Sequence, residues 1–259
     1  IDAENWFTED IYDKHGNRIS TVRYATAVSN PAASTLEQLR PKTNGQDYFY
    51  SYTYNSLDQL VSQTAEDGTI TSFEYDSVGN LLSSTRAADT LDARTSVMRR
   101  DAHGRVIAEL TPEGAARLAP GQTAQQISQI WETYGVKHEY DASGLLTRTT
   151  DQHGHATLFL YDADGRLSAS VNATGEVTYR TYNTLNQLEQ ITTFATRLTL
   201  EQLQTLQPGY FTGSAQDLLN GLYQEQDGFT GFTYDQRGQL IRQETGDAVH
   251  ENSYDAFGA

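Results

Sequence analysis

The residues of this chain that could carry chemistry are six histidines and the acidic side chains near them. The histidines are His15, His103, His138, His153, His155 and His250. His153 and His155 flank Gly154, so a strand would place both imidazoles on one face, where they could bind a metal ion. No third ligand follows at a suitable spacing, and His15 and His103 each directly precede a turn glycine. His153 likewise precedes a turn glycine, Gly154. Exposed turn positions therefore explain His15, His103 and His153 better than a metal site does.

The acidic and glycine-rich motifs also give no indication of a catalytic or ligand-binding site. Asp162-Ala163-Asp164-Gly165 begins like a calcium loop, but its glycine comes too early and the later glutamate is missing. The chain has no Gly-x-Ser-x-Gly motif, phosphate loop or dinucleotide fingerprint, and it has no cysteine. The sequence therefore predicts no catalytic, cofactor-binding or metal-binding residues, and we expect that the protein is not an enzyme.

The turn residues belong to a motif, Tyr-(Asp/Asn)-x-x-(Gly/Asp/Asn)-x-(Leu/Val/Ile), that recurs along the whole chain. Uninterrupted neighbouring copies, such as those at Tyr54 and Tyr75, are 21 residues apart. One copy has Arg100 in place of the tyrosine. A fixed period of this length marks a repeat architecture. The expected structural residues of the motif are Tyr12, Asp13, Gly16, Tyr54, Asn55, Tyr75, Asp76, Gly79, Asp101, Gly104, Tyr140, Asp141, Gly144, Tyr161, Asp162, Gly165, Tyr182, Asn183, Tyr234, Asp235, Gly238, Tyr254, Asp255 and Gly258.

One copy of the motif predicts a β-hairpin. Thr71, Phe73 and Tyr75 alternate, so a strand places them on one face. Residues 76–80 supply turn chemistry, and residues 81–85 form the return strand. The loop of the hairpin has about four to five residues. Gly79 and its counterparts, Gly144 and Gly165, are expected in turn conformations that β-branched residues adopt poorly.

An isolated hairpin is only marginally stable in water, so each copy must cover its aromatic face with the next copy. The sequence therefore predicts an all-β fold in which tandem β-hairpin repeats stack into one long sheet. Residues 1–259 are expected to form a single array of repeats. Tyr75, Tyr161 and Tyr182 should each be at least half buried.

Three insertions interrupt the period, near residues 30–44, 111–134 and 198–228. Leucine spacing and flanking residues predict helices over residues 199–206 and 214–221, the second with Ser214 as a plausible N-cap, and more weakly from 123 or 125 to 131. The insertions either cap an edge of the sheet or bind a partner. In the second case Tyr210, Phe211 and Tyr223 are the candidate binding residues.

Bulk composition limits the choice of partners. A net charge of −16 and a pI near 4.6 disfavour nucleic acid and anionic lipid. No apolar run reaches the roughly 20 residues of a membrane span. The chain lacks a signal peptide and an initiator methionine, and its last motif copy is cut short, so we expect a piece of a longer polypeptide. Bare sheet edges make edge-to-edge self-association plausible.

The repeated Tyr-Asp-x-x-Gly-(Arg/Asn)-(Leu/Val), with Gly68, Gly154 or Gly175 seven residues before the next tyrosine, resembles the RHS or YD-repeat family. The resemblance implies a large secreted or cell-surface polypeptide, as in bacterial polymorphic toxins, the shell-forming subunits of insecticidal Tc toxins, wall-associated proteins and animal teneurins. It also implies that the sheet spirals into a hollow shell. In toxin members the shell encloses a cytotoxic polypeptide, and carbohydrate binding has been associated with such repeats.

The chain departs from the toxin type in one respect. It contains no Asp-Pro pair, so the cleavage region that releases the toxin cargo has no counterpart here. Two functions remain open. The first is a structural wall segment around a toxin or other passenger. The second is an adhesion module that binds carbohydrate or protein through exposed aromatic residues and insertion loops. Neither function requires a cofactor, and the rest of the parent polypeptide is a partner in both.

Overall fold

The computed structural model describes residues 1–2, 4–33, 35–210 and 213–254. The chain forms two compact units, Ile1–Tyr134 and Gly135–Ala259. Both units are built mainly from antiparallel strands, and their helices lie in the insertions. The predicted all-β class with short helical insertions is confirmed.

Eight strands of the first unit form an antiparallel meander in which each strand pairs with the next. Helix α1 follows the second strand, and helices α2 and α3 follow the eighth. The strands are β1 (Thr8–Tyr12), β2 (Arg18–Arg23), β3 (Tyr48–Tyr54), β4 (Leu60–Thr64), β5 (Ile70–Tyr75), β6 (Leu81–Arg86), β7 (Arg94–Arg100) and β8 (Val106–Leu110). The helices are α1 (Leu36–Leu39), α2 (Pro112–Ala115) and α3 (Ala124–Tyr134).

The second unit repeats this arrangement. Its strands pair in sequence order, except that β14 pairs with β16 and the short β15 pairs in parallel with β11. The strands are β9 (Gly135–Tyr140), β10 (Leu146–Thr150), β11 (Ala156–Tyr161), β12 (Leu167–Val171), β13 (Val177–Tyr182), β14 (Leu188–Thr193), β15 (Gly209–Tyr210), β16 (Gly228–Tyr234), β17 (Leu240–Thr245) and β18 (Ala248–Glu251). The helices are α4 (Leu200–Thr205) and α5 (Gly213–Asn220).

Helices α3, α4 and α5 agree closely with the sequence-based predictions, and α3 extends to Tyr134, beyond its predicted end. Helices α1 and α2 were not predicted. Ser214 was expected to cap α5, but the helix already begins at Gly213, so Ser214 lies inside it. Helices α1, α3 and α4 each begin directly after the threonine of a Thr-x-x-Gln sequence, whose glutamine lies within the helix. At α4 the Thr199 hydroxyl accepts a hydrogen bond from the Gln202 main chain, and the Gln202 side chain accepts one from the Thr199 main chain. This reciprocal pairing satisfies N–H groups that the helix leaves free.

Every hairpin of the motif contains a β-bulge at the same place. In the copy at Tyr161, Tyr161 pairs with Leu167, but Leu160 pairs with Ala169, so Ser168 is the extra residue. The corresponding irregularity occurs in the other seven complete copies. A bulge increases local twist and interrupts the ladder. It therefore gives each repeat the same local distortion beside its turn.

The insertions supply the buried apolar cores. In the second unit, α4 and α5 cover one face of β11–β13, where Leu160, Ala169, Val171 and Val177 are almost fully buried. In the first unit, Leu110 of β8 forms a core with Ala115 of α2 and Trp131 of α3. These two insertions therefore add apolar burial that the bare hairpins lack.

Two of the insertions are anchored in the same way. Tyr24 and Phe194 each lie twelve residues after a motif tyrosine, and both rings are buried. The buried Asp47 accepts hydrogen bonds from the main-chain N–H groups of Ala25 and Asn44, at 2.9 and 2.7 Å. Asp227 accepts the equivalent bonds from Ala195 and Gln224, at 2.8 and 2.9 Å. One carboxylate therefore joins both ends of each insertion.

Candidate functional site: the repeat motif and its insertions

The second residue of the motif organises the turn. The Asp162 Oδ1 accepts hydrogen bonds from the main-chain N–H groups of Asp164 and Arg166, at 3.0 and 2.9 Å. An asparagine does the same in the copy at Tyr54, where the Asn55 Oδ1 accepts hydrogen bonds from the main-chain N–H groups of Leu57 and Gln59. This Asx geometry explains why the position takes only Asp or Asn. The other six copies share it at Asp13, Asp76, Asp101, Asp141, Asn183 and Asp235.

The sixth residue of the motif is matched to the second. Where the second residue is aspartate, a donor such as the Arg166 Nε bonds its remaining oxygen, at 2.7 Å from Asp162 Oδ2. Where it is asparagine, the polarity reverses, and the Asn55 amide donates to Gln59 Oε1 at 2.8 Å. The same rule holds at Asp13–Asn17, Asp76–Asn80, Asp101–Arg105 and Asn183–Gln187. The sequence shows Arg or Asn at the sixth position of several copies, but the hydrogen bonds reveal that this residue is matched to the second one.

The copy at Tyr140 breaks this rule. Leu145 occupies the sixth position, and the buried Oδ2 of Asp141 has no hydrogen-bond partner. An unsatisfied buried acceptor costs free energy. This turn is therefore a local weak point of the second unit.

Hydrogen bonding lowers the pKa of turn aspartates such as Asp76 and Asp162. Bonds from the side chain and main chain of Asn80 hold the pKa of Asp76 below its usual value. Desolvation alone would raise the pKa of Asp162, but bonds from the main chain and guanidinium of Arg166 outweigh it and lower the pKa. These carboxylates are therefore stabilised in their charged form, as acceptors rather than as acids.

The fifth residue of the motif takes a left-handed backbone conformation. Gly79 and Gly165 have φ values of 94° and 77°. Asp58 and Asn186 occupy the same position in their own copies, with φ of 57° and 62°. Gly, Asn and Asp are the residues that tolerate this region best. The expected turn conformation is found, and Gly144 shares it with φ of 87°.

The motif tyrosine joins consecutive copies. The Tyr161 hydroxyl donates a hydrogen bond to the main-chain carbonyl of Leu146, the seventh motif residue of the preceding copy, at 2.8 Å. Tyr75 makes the same bond to Leu60, and Tyr182 makes it to Leu167. Equivalent bonds join Tyr54 to Arg18, Tyr234 to Leu188 and Tyr254 to Leu240. The accepting carbonyl lies directly before the bulge residue in each case.

Arg100 replaces the tyrosine in structure as well as in sequence. Its Nε donates to the carbonyl of Leu81, the seventh motif residue of the preceding copy, at 3.2 Å. Its Nη1 donates to the carbonyl of Gly104 at 2.8 Å. The copy without a tyrosine therefore keeps the connection between repeats through a different donor.

Burial of the tyrosines follows their position in the array. Tyr75, Tyr161 and Tyr182 are only partly accessible, so the prediction that each is at least half buried is confirmed. Tyr12, in the first copy, is 56% exposed. The remaining motif tyrosines, Tyr54, Tyr140 and Tyr234, are also partly buried, whereas Tyr254 is exposed. Asp255 and Gly258 lie outside the described residues.

Of the three proposed binding aromatics, the structure describes the side chain of Tyr223. Tyr223 is exposed along one side, but its ring packs edge-on against Phe194 with centroids 5.0 Å apart. Burial raises the pKa of the Tyr223 hydroxyl. The Tyr210 main chain pairs with Tyr161 across β11 and β15. Phe211 lies outside the described residues. Tyr223 thus contributes to the packing of the insertion, while a binding role for the three residues stays a prediction.

The histidines lie mainly at turns, as expected. His15, His103, His153 and His155 are exposed. The rings of His153 and His155 are 6.0 Å apart, and His155 Nδ1 lies 3.1 Å from Asp151 Oδ2. Within the described ranges, no three metal-binding side chains converge. In the same ranges, no helix combines the length and apolar character needed to cross a bilayer.

A family model named RHS Repeat matches residues 54–91, 140–177 and 161–198. Those residues contain the turns, bulges and tyrosine bonds described above. These segments are RHS repeats. A comparison with curated proteins gave no match.

Three solved Tc toxin structures illustrate what this chain is similar to. The chain is 14% identical to the crystal structure of TcdB2-TccC3-Cdc42, with a TM-score of 0.37, and the match covers 98% of this chain and 16% of the other. The crystal structure of TcdB2-TccC3 gives 16% identity, a TM-score of 0.38 and coverages of 98% and 16%. The Photorhabdus luminescens Tc holotoxin pore with the TccC3-D651A mutation gives 15% identity and a TM-score of 0.36, and the match covers 96% of this chain and 16% of the other. The chain thus spans about one sixth of the length of each of these chains.

Proposed function

We propose that the chain is a wall segment of a larger, secreted or surface-exposed RHS-repeat polypeptide that encloses a passenger. The observation that carries this proposal is the bond that six motif tyrosines make to the preceding copy, as between Tyr161 and Leu146. Hairpins joined in this way are completed by their neighbours and extend as a continuous sheet. The role is structural and not catalytic, and residues 1–259 act as one array in the assembled wall.

The insertions support a wall in preference to an adhesion module. Helices α4 and α5 cover apolar strand residues, and Tyr223 packs against Phe194 within the same insertion. Such packing supports the capping role that the sequence left open. Carbohydrate or protein binding through Tyr210, Phe211 and Tyr223 is the alternative function. A glycan array probed with this chain tests that alternative, because selective binding that is lost in Tyr223→Ala would favour adhesion.

Protease protection in the full-length parent polypeptide tests the wall. The passenger should resist digestion in the unsubstituted protein and become sensitive when Tyr161→Ala and Tyr182→Ala loosen adjacent repeats. The exposed Tyr12 provides the matched control, because Tyr12→Ala should preserve protection. Equal digestion of the passenger in all three proteins would contradict the proposal. Circular dichroism must show that the doubly substituted protein keeps its sheet.

A further inference from the structure

A cleft of about 380 Å³ opens in the second unit between α4 and the strands beneath it. Its walls include Leu158, Leu203 and Leu206, with Gln204 also contributing. Arg148 is the one charged side chain among the described residues that line it. Small-ligand sites span roughly 300–1,000 Å³ and combine apolar walls with few polar groups. The cleft meets both criteria.

Arg148 has a guanidinium nitrogen without a hydrogen-bond acceptor. Its Nε is buried and has no partner, and the nearest carboxylate oxygen, Glu139 Oε2, is 3.9 Å away. That separation is too long for a hydrogen bond. By contrast, the Nε atoms of Arg105 and Arg166 each donate to an aspartate at 2.7 Å. Although the Nε is buried, the Arg148 side chain as a whole is 37% exposed.

Strand register places this cation beside the apolar core. Arg148 pairs with Leu158, which pairs with Val171, and Val171 pairs with Val177. Cross-strand partners lie on the same face of a sheet. The cation is therefore at one end of a buried apolar row. A matching ligand has an apolar body against Leu158 and an anionic head at Arg148.

We propose that the Arg148 cleft binds an apolar monocarboxylate of the medium-chain fatty acid class. A carboxylate matches the planar fork of a guanidinium and can accept two hydrogen bonds from it. The hydrocarbon chain would lie along the leucine walls and remove apolar surface from water. Because the whole chain carries a net charge of −16, an anion gains from this site only through the local cation.

Isothermal titration of the intact chain with decanoate at low ionic strength tests the proposal. Saturable one-site binding is expected. Arg148→Gln should weaken it roughly tenfold or more, as loss of a charged hydrogen bond predicts. Ala156→Phe should also weaken it by filling the cleft. Arg242→Gln removes a surface arginine of the same unit and should leave the affinity unchanged, provided that circular dichroism shows each variant folded.

Two further measurements separate carboxylate recognition from general apolar binding. Decanol, which has the same chain without the charge, should bind more weakly than decanoate. Glu139→Gln removes the competing carboxylate and should tighten decanoate binding. The proposal is overturned if decanoate shows no saturable binding, if decanol binds equally well, or if Arg148→Gln and Arg242→Gln bind decanoate with the same affinity.

Discussion

The hydroxyl of Tyr161 lies 2.8 Å from the main-chain oxygen of Leu146, fifteen residues earlier in the chain and in the preceding repeat. Tyr161→Phe should lower the free energy of unfolding by about 0.5–1.5 kcal/mol, because only the hydrogen bond is lost. Tyr161→Ala should cost about 3–5 kcal/mol, because the buried ring is lost as well. Denaturant titration measures both changes. Tyr12→Phe is the control and should change stability little, and a cost below about 1 kcal/mol for Tyr161→Ala would contradict the stacking.

Arg100 provides an independent test of the same connection. Arg100→Tyr should keep the hydrogen bond to the Leu81 carbonyl and remain within about 1 kcal/mol of the parent chain, since tyrosine fills this place in other copies. Arg100→Leu removes both donors and should cost about 1–3 kcal/mol. Thermal or denaturant unfolding of the two variants compares them directly. If Arg100→Tyr proved as unstable as Arg100→Leu, the two side chains would not be equivalent here.

The unpartnered Asp141 Oδ2 predicts a stabilising substitution. Leu145→Asn supplies the donor that Asn17 and Asn80 provide in their turns. It should raise the free energy of unfolding by about 0.5–1.5 kcal/mol. A double substitution, Asp141→Asn with Leu145→Gln, should have a similar effect because it recreates the reversed pair of the copies at Tyr54 and Tyr182. No gain from either change would show that the sixth position does not control turn stability.

Acid should weaken the turns. The pKa of Asp76 lies below its usual value of 3.8, so the charged form is favoured in the folded state. Its contribution is fully present above the unfolded pKa and is lost as pH falls through the lower, folded pKa. Stability measured by denaturant unfolding should therefore stay level above about pH 5 and decrease below about pH 4. Asp76→Asn should reduce this acid-dependent loss, and an unchanged pH profile would contradict the assignment.

Substitutions at the fifth motif position should differ in stability only through the backbone conformation that each residue tolerates. Gly165 has φ of 77°, and an added Cβ would make only an ordinary contact, at 3.9 Å from Leu145 Cδ1. Gly165→Val should cost about 1–2 kcal/mol because a β-branched residue resists this region. Gly165→Asn should cost clearly less, since Asn186 already adopts φ of 62°. Equal losses in chemical denaturation would point to a steric cause instead.

Much of the fold follows from the sequence because the repeat signal is local. Alternating residues before Tyr75 and the turn chemistry of Asp76 and Gly79 are enough to predict the hairpin and its left-handed residue. Helix α4 was predictable from its leucine spacing and from Pro208 beyond its end. The bulge at Ser168 was not, because an extra residue in one strand leaves no distinctive composition.

Side-chain partners between distant repeats were harder to foresee. The anchoring role of Asp47 depends on Ala25, 22 residues away, and only the folded insertion brings the two together. Arg148 belongs to no copy of the motif. Its cleft exists because α4 packs over part of the sheet. The equivalence of Arg100 and tyrosine also required geometry, since the two side chains share a hydrogen-bond target and little else.

The paired anchors at Asp47 and Asp227 imply that the segments between their ends can diverge in size and content. Each carboxylate accepts hydrogen bonds from both ends of its insertion, whatever residues lie between them. Among the described residues, the span between Tyr24 and Asp47 holds one short helix, whereas the span from Phe194 to Asp227 holds two helices and a strand. The anchored ends therefore mark natural grafting points, at which a foreign segment can be exchanged while the registry of the flanking hairpins is preserved.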